Sequence, residues 1–305
     1  MISGPGGHRR PVHFGTGNEI HLSPYPNHVR LRNSCMNSPE NSRLLENKTA
    51  VIYGAAGAIG SALARAFARE GATVFLAGRR LAQVDAVARE ITQAGGTATA
   101  AAVDALDEAA LDAHLDSVIE RAGRLDISFN AIGYSNTRIL GVPFTEMEVA
   151  DFSGPLDAYA RSYFLTARLA ARRMIPAKSG VIMTLSAIPG RVGTPLNGGY
   201  GPAMAAKEAL TRDLSVELAP QGIRVLILRS HGLPETPTVK ALFEIKGRPA
   251  GMSWEQFQQY FANWGHARRV MRLEELTAAA AFLASDRASA LSGTTVNLTM
   301  GGVAD

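Results

Sequence analysis

The sequence predicts an α/β protein whose core is a doubly wound parallel sheet of the Rossmann type, a single domain behind an N-terminal extension. Three observations predict it. From residue 47 onward, short β-branched and aromatic runs alternate with longer stretches of helical apolar spacing. A glycine-rich turn joins the first of these runs to the first helix. The composition, 46% hydrophobic and 19% charged over 305 residues, is that of an ordinary globular chain. Strand–helix alternation of this kind builds right-handed βαβ units and hence a parallel sheet covered on both faces.

The elements follow in order along the chain. Residues 49–53 read as a strand and 61–70 as a helix closed by Gly71. A second strand is expected at 73–77. Residues 79–93 carry an apolar stripe, Leu81, Val84, Val87 and Ile91, at helical spacing that stops at Gly95-Gly96. Strand 97–103, helix 108–122 and strand 125–131 continue the alternation, followed by a long helix at 156–174 and a strand at 181–185. Helix 200–218 leads to strand 223–228. A less regular segment, 230–266, precedes helix 273–284 and strand 294–298. Neither an internal repeat nor a linker interrupts 47–305, which reads as one domain.

Residues 1–46 are different. They hold four of the seven histidines (His8, His13, His21 and His28) and five prolines, without apolar periodicity, and read as a disordered extension. The histidines lack metal-ligand spacing, so no metal site is assigned. Cys35, the single cysteine, has no partner for a disulfide or a zinc-ligand set. With no apolar stretch of a secretory signal, the expectation is a reducing compartment and a cytoplasmic location. No run approaches the roughly 18 apolar residues of a membrane helix. A net charge of +4, with no run of five basic residues, gives no nucleic-acid patch.

The turn Gly54-Ala55-Ala56-Gly57-Ala58-Ile59-Gly60 carries the strongest functional signal. A pyrophosphate needs close backbone approach and the free N–H groups of a helix start, and small residues allow both. Gly54, Ala56, Gly57, Ala58, Ile59 and Gly60 are therefore candidate dinucleotide contacts. After the second strand, where a carboxylate would bind the ribose hydroxyls of NAD, stand Gly78, Arg79 and Arg80. Guanidinium groups pair with a 2′-phosphate that a carboxylate would repel, so the expected cofactor is NADP(H) in preference to NAD(H).

With these features the chain resembles the short-chain dehydrogenase/reductase family, over about residues 45–305. Val103-Asp104 resembles the family's Asp after the third strand, which contacts adenine, with Ala105 beside it. Asn130-Ala131-Ile132-Gly133 resembles its Asn-Asn-Ala-Gly stretch after the fourth strand. The resemblance implies cofactor contacts at Asp104, Ala105, Asn130, Ala131, Gly133 and Tyr200. Glu217-Leu-Ala-Pro220 through Val225, and Leu283-Ala-Ser-Asp286 through Gly301-Gly302, match the C-terminal half.

The family acts on carbonyls or alcohols with an Asn, a Ser, a Tyr and a Lys. Register places its Tyr on Tyr200, its Lys on Met204, its Ser on Ala187 and its Asn on Tyr159, so only the Tyr is retained. A free phenol has a pKa near ~10 and needs a neighbour that stabilises its anion. Lys207 lies two helical turns after Tyr200 on about the same face, and helical side chains lean toward the N-terminus. Its spacing also resembles that of enoyl reductases of the same superfamily. Ser186 is a candidate for the missing hydroxyl. His231, at the end of the sixth strand, could donate a proton or a hydrogen bond, and Tyr159 could reach the pocket. The candidate catalytic set is Tyr200, Ser186 and Lys207. The segment 230–266, with Trp254, Phe257, Tyr260, Phe261 and Trp264, reads as a substrate lid with an apolar wall.

Three functions remain open on these residues: an NADP(H)-dependent carbonyl or alcohol oxidoreductase acting on a largely apolar small molecule, an enoyl-type C=C reductase, and a cofactor-binding protein without redox turnover. The resemblance also implies a homodimer or homotetramer.

Overall fold

The computed structural model describes residues 43–304. The predicted extension and its histidines lie outside the described residues, except for residues 43–46. Those four are packed onto the domain. Leu45 is fully buried in the core, and the Leu44 backbone N–H donates to the Glu70 carboxylate at 2.9 Å. The folded unit therefore begins before residue 47.

Seven parallel strands form one sheet: β1 (Thr49–Tyr53), β2 (Thr73–Gly78), β3 (Thr97–Ala102), β4 (Ile127–Asn130), β5 (Gly180–Ala187), β6 (Ile223–Ser230) and β7 (Thr294–Leu298). Their spatial order is β3-β2-β1-β4-β5-β6-β7. The chain runs outward from β1 to β3, then crosses back to begin again at β4. This reversal places a crevice over the C-terminal ends of β1 and β4, the position where such sheets bind ligands.

Helices cover both faces. On one side α1 (Ala58–Arg69), α2 (Leu81–Gln93) and α9 (Leu273–Ala284) bury Leu63, Phe67, Val84 and Leu276 against the sheet. On the other, α3 (Glu108–Ala122), α5 (Ser162–Met174) and α6 (Tyr200–Leu218) are packed through Leu111, Leu115, Tyr163, Leu169 and Leu218. The Phe67 and Phe129 rings meet edge to face at 6.2 Å, one of the contacts that fix α1 on the sheet.

Three differences from the sequence expectation concern the site. Helix α1 starts at Ala58 rather than residue 61, so the glycine-rich turn is itself the helix start. The long helix begins earlier, as α4 (Val149–Pro155), and passes through a π-helical turn at Leu156–Arg161 before α5. The proline lacks an N–H to donate, and a π turn follows it. The segment 230–266 is more regular than its sequence indicates. It holds α7 (Pro237–Leu242), a π-helical turn at Phe243–Gly247, and α8 (Trp254–Trp264), which opens with a Ser253–Gln256 capping box. Among the described residues, no helix is long and apolar enough to cross a membrane.

Candidate active site

A cavity of about 1010 Å³ lies along the C-terminal ends of the strands. It extends from the glycine-rich turn past β4 and β5 to the helices of residues 230–266. Its size suits an extended ligand together with a small molecule.

At one end, Gly54 adopts a left-handed φ of +73°. Its N–H and that of Ala55 both donate to the Ala77 carbonyl, at 2.9 and 3.2 Å. A Cβ at Gly54 would stand 2.7 Å from the Ala131 carbonyl oxygen, and one at Gly60 would overlap the Gly54 carbonyl oxygen. The glycines thus serve the close approach of turn, helix and β4. Ala56, Gly57, Ala58 and Ile59 line the cavity. Gly60 is buried and does not line it, so its part is to admit the helix. The cap residue Gly57 makes no side-chain cap, and the first turn of α1 carries no acidic residue, leaving its N–H groups and positive dipole end for an anion.

Beside it, Arg79 and Arg80 line the cavity. Both are exposed, and neither side chain forms an ion pair or hydrogen bond among the described residues. A Cβ at Gly78 would stand 2.9 Å from a Val84 methyl, so packing rather than ligand approach accounts for the missing side chain there. Asp104 and Ala105 line the next part of the wall, and the Asp104 carboxylate accepts the Leu106 N–H at 3.0 Å. Ala131 and Gly133 complete it. Asn130 does not reach the cavity. Its amide is turned into the fold, donating to Thr166 at 3.1 Å and to Ser162 at 3.3 Å, and its oxygen accepts the Ile132 N–H. It braces the loop whose next residues form the wall.

These residues fit a dinucleotide. A glycine cradle that a Cβ would obstruct faces a helix start without a competing carboxylate, and two guanidinium groups with no side-chain partner among the described residues line the cavity beside it.

Tyr200, Ser186 and Lys207 line the same cavity. Tyr200 opens α6, and its ring stands edge to face with Tyr159 at 5.6 Å. Tyr159 projects from the π turn. Its hydroxyl accepts the Tyr134 N–H at 3.0 Å, and Met204 packs in the same aromatic cluster. Enclosure among these groups, together with Tyr159, holds the Tyr200 phenol above its ordinary pKa.

Lys207 is 1% exposed. Its ammonium lies over the Tyr159 ring at 5.6 Å and the Tyr163 ring at 5.8 Å, with no carboxylate partner among the described residues. Burial lowers its pKa from 10.5 to about 7.

Ser186 is buried, and its hydroxyl donates to Glu208 Oε1 at 2.5 Å. Glu208 is in turn held by Arg229 through two bonds, of 2.9 and 2.8 Å. With its proton engaged there, Ser186 has only lone pairs left for a ligand. Sequence reasoning missed this buried Glu208–Arg229 pair. Its signal was a charge at position 229, inside an otherwise apolar strand. His231 also lines the cavity, and its Nδ1 accepts the Gly232 N–H at 2.8 Å. From the 230–266 segment, Phe257, Tyr260, Phe261 and Trp264 line the cavity, while Trp254 packs against Phe243 at 5.3 Å without lining it.

The comparisons with known proteins agree with this geometry. A family model described as enoyl-(acyl carrier protein) reductase matches residues 54–302. Secoisolariciresinol dehydrogenase of Forsythia intermedia is 32% identical over 258 residues, covering 83% of this chain and 87% of that protein. The crystal structure of sorbitol-6-phosphate 2-dehydrogenase SrlD from Erwinia amylovora matches with a TM-score of 0.79 and 28% identity, over 84% of this chain and all of that one. A 7α-hydroxysteroid dehydrogenase complexed with NADH and 7-oxo glycochenodeoxycholic acid matches with a TM-score of 0.76 and 28% identity, over 88% and 99% of the two chains. The fold and site define a Rossmann-type oxidoreductase scaffold with a nicotinamide-dinucleotide cradle. The chain belongs to the short-chain dehydrogenase/reductase family.

Proposed function

We propose that the protein is an NADP(H)-dependent oxidoreductase that reduces the carbonyl of a largely apolar small molecule. One observation carries this reading: a single cavity joins the glycine cradle, Arg79 and Arg80 to Tyr200 and Lys207. When bound, the cofactor supplies a hydride to the carbonyl carbon.

The chain's own part is to bind, orient and move one proton. Arg79 and Arg80 pair with the 2′-phosphate, and the start of α1 takes the pyrophosphate. Tyr200, held protonated by its surroundings, gives its proton to the carbonyl oxygen as the alcohol forms. Because burial makes this phenol a weaker acid, its proton transfer depends on a group that stabilises the anion. The tyrosinate left behind needs a cation, and Met204 has none to give. Lys207 reaches the same cavity from one turn further along α6, and when protonated it stabilises that anion. The aromatic side chains of α8 exclude water from the reacting end and favour apolar substrates. Exposed Phe164 on α5 and Val216 on α6 support association of these helices with a second copy.

A second reading, reduction of a conjugated C=C, is favoured by the placement of Lys207. Hydride would go to the β-carbon, and a hydrogen bond from Tyr200 would hold the enolate.

The test is calorimetric titration of the purified protein with NADPH and NADH, followed by NADPH oxidation with cyclohexanone and with a crotonyl thioester. Tight NADPH binding that Arg79→Ala weakens, with NADH unaffected, is the expected result. Turnover of the ketone supports the first reading, and turnover of the thioester alone supports the second. Absence of binding by either nucleotide refutes both.

A further inference from the structure

The family's substrate-orienting serine falls on Ala187, and the adjacent Ser186 donates its hydroxyl proton to Glu208. The reacting oxygen of a bound carbonyl therefore lacks its second donor. Ala187 ends β5 and pairs in register with Ser230, the last residue of β6. His231 is the next residue, at the same edge of the sheet and lining the same cavity.

The imidazole's protonation is fixed by its neighbours. A backbone N–H can only donate, and that of Gly232 donates to Nδ1 at 2.8 Å. Nδ1 therefore carries no proton, and in the neutral ring the proton sits on Nε2. Burial pushes the imidazole below its ordinary pKa, which keeps it neutral. Nε2 is nonetheless buried with no hydrogen-bond partner among the described residues, in a side chain 4% exposed. Such an unsatisfied donor is costly unless a ligand takes it up. Phe261 of α8 stands edge to face on the ring at 5.7 Å, so the helix that walls the substrate space also covers this donor.

We propose that His231 Nε2–H is the second hydrogen-bond donor to the substrate's reacting oxygen, taking the place of the hydroxyl missing at Ala187, with Phe261 shifting as substrate enters. The inference rests on the oxidoreductase reading. It makes His231 a catalytic residue that strengthens its bond as negative charge develops on that oxygen, and that transfers no proton itself.

The experiment compares three variants under NADPH with cyclohexanone. His231→Gln keeps an N–H at the reach of Nε2, His231→Asn keeps only the Nδ1 end, and His231→Phe keeps the ring shape alone. A lost donor of this kind reduces kcat by roughly 10²–10³-fold. The expected result is that loss in the Asn and Phe variants, recovery to within about tenfold in the Gln variant, and unchanged NADPH affinity in all three. In the wild-type protein with NADP⁺ bound, ¹⁵N-histidine spectra are expected to give the Nε2–H tautomer for His231, with its signal moving on addition of cyclohexanone. Full turnover in His231→Phe overturns the donor role and leaves the oxidoreductase reading intact. Absence of wild-type turnover of both cyclohexanone and the crotonyl thioester despite NADPH binding overturns that reading instead. The spectrum then decides the donor alone: an Nδ1–H tautomer, or a signal unmoved by cyclohexanone, overturns it.

Discussion

Lys207→Met should make the protein more stable, and by an amount that depends on pH. The lysine amine is buried without a counter-ion among the described residues, and its pKa falls from 10.5 to about 7. Taking ~1.4 kcal/mol for each tenfold change in proton affinity, holding the ammonium charged in the folded state costs about 5 kcal/mol. The lost contacts with the Tyr159 and Tyr163 faces offset ~1–2 kcal/mol of that, and relaxation of the site takes a further share. A net gain of ~2–3 kcal/mol is expected at pH 6. The sign follows from proton counting. Between pH 7 and ~10.4 the unfolded chain holds a proton that the folded chain has released, so wild-type stability rises with pH across that window. Below pH 7 both states are protonated and the penalty is constant. The advantage of Lys207→Met should therefore be largest at pH 6 and shrink by ~1.4 kcal/mol per pH unit above 7. Urea denaturation of both proteins at pH 6, 7, 8 and 9 measures it directly. A variant less stable than wild type at pH 6, or a difference independent of pH, would refute the description of Lys207 as a buried, uncompensated amine.

Other consequences are equally direct. Tyr200→Phe should abolish ketone turnover while leaving NADPH affinity within a few-fold, read by steady-state kinetics beside calorimetry. Glu208→Gln weakens the charge-assisted bonds that this carboxylate accepts from Ser186 and Arg229, and should destabilise the domain by about 1–3 kcal/mol in denaturant titrations. Gly60→Ala forces a methyl into the Gly54 carbonyl, and should cost ~1–3 kcal/mol and weaken nucleotide binding, because the cradle has to shift.

The strands and helices were legible because each has a face that must be buried, and burial imposes a period on the sequence. Residues 49–53, 108–122, 200–218, 273–284 and 294–298 were placed with the bounds the structure has. Errors gathered where local pattern yields to packing. Helix α1 starts three residues early because glycines let it press on the turn, and the 230–266 helices are held together by ring contacts such as Phe243–Trp254 at 5.3 Å, which join separate helical segments and which no local period records. The same boundary runs through the site. The cradle and the two arginines could be read from the sequence, since they lie within single strand–turn–helix units.

The contacts that decide the chemistry join residues far apart in the chain. Ser186 meets Glu208 and Arg229 across β5, α6 and β6, and Asn130 turns away from the cavity to bond with α5. By itself, then, the sequence determined the doubly wound sheet and the place of its phosphate-binding turn, because local periodicity and glycine sterics are properties of short segments. Only the tertiary structure decided that Lys207 and His231 Nε2 are buried with no counter-ion and no hydrogen-bond partner, respectively, among the described residues. Desolvation and hydrogen-bond satisfaction depend on everything packed around a group, and those neighbours come from separate parts of the chain.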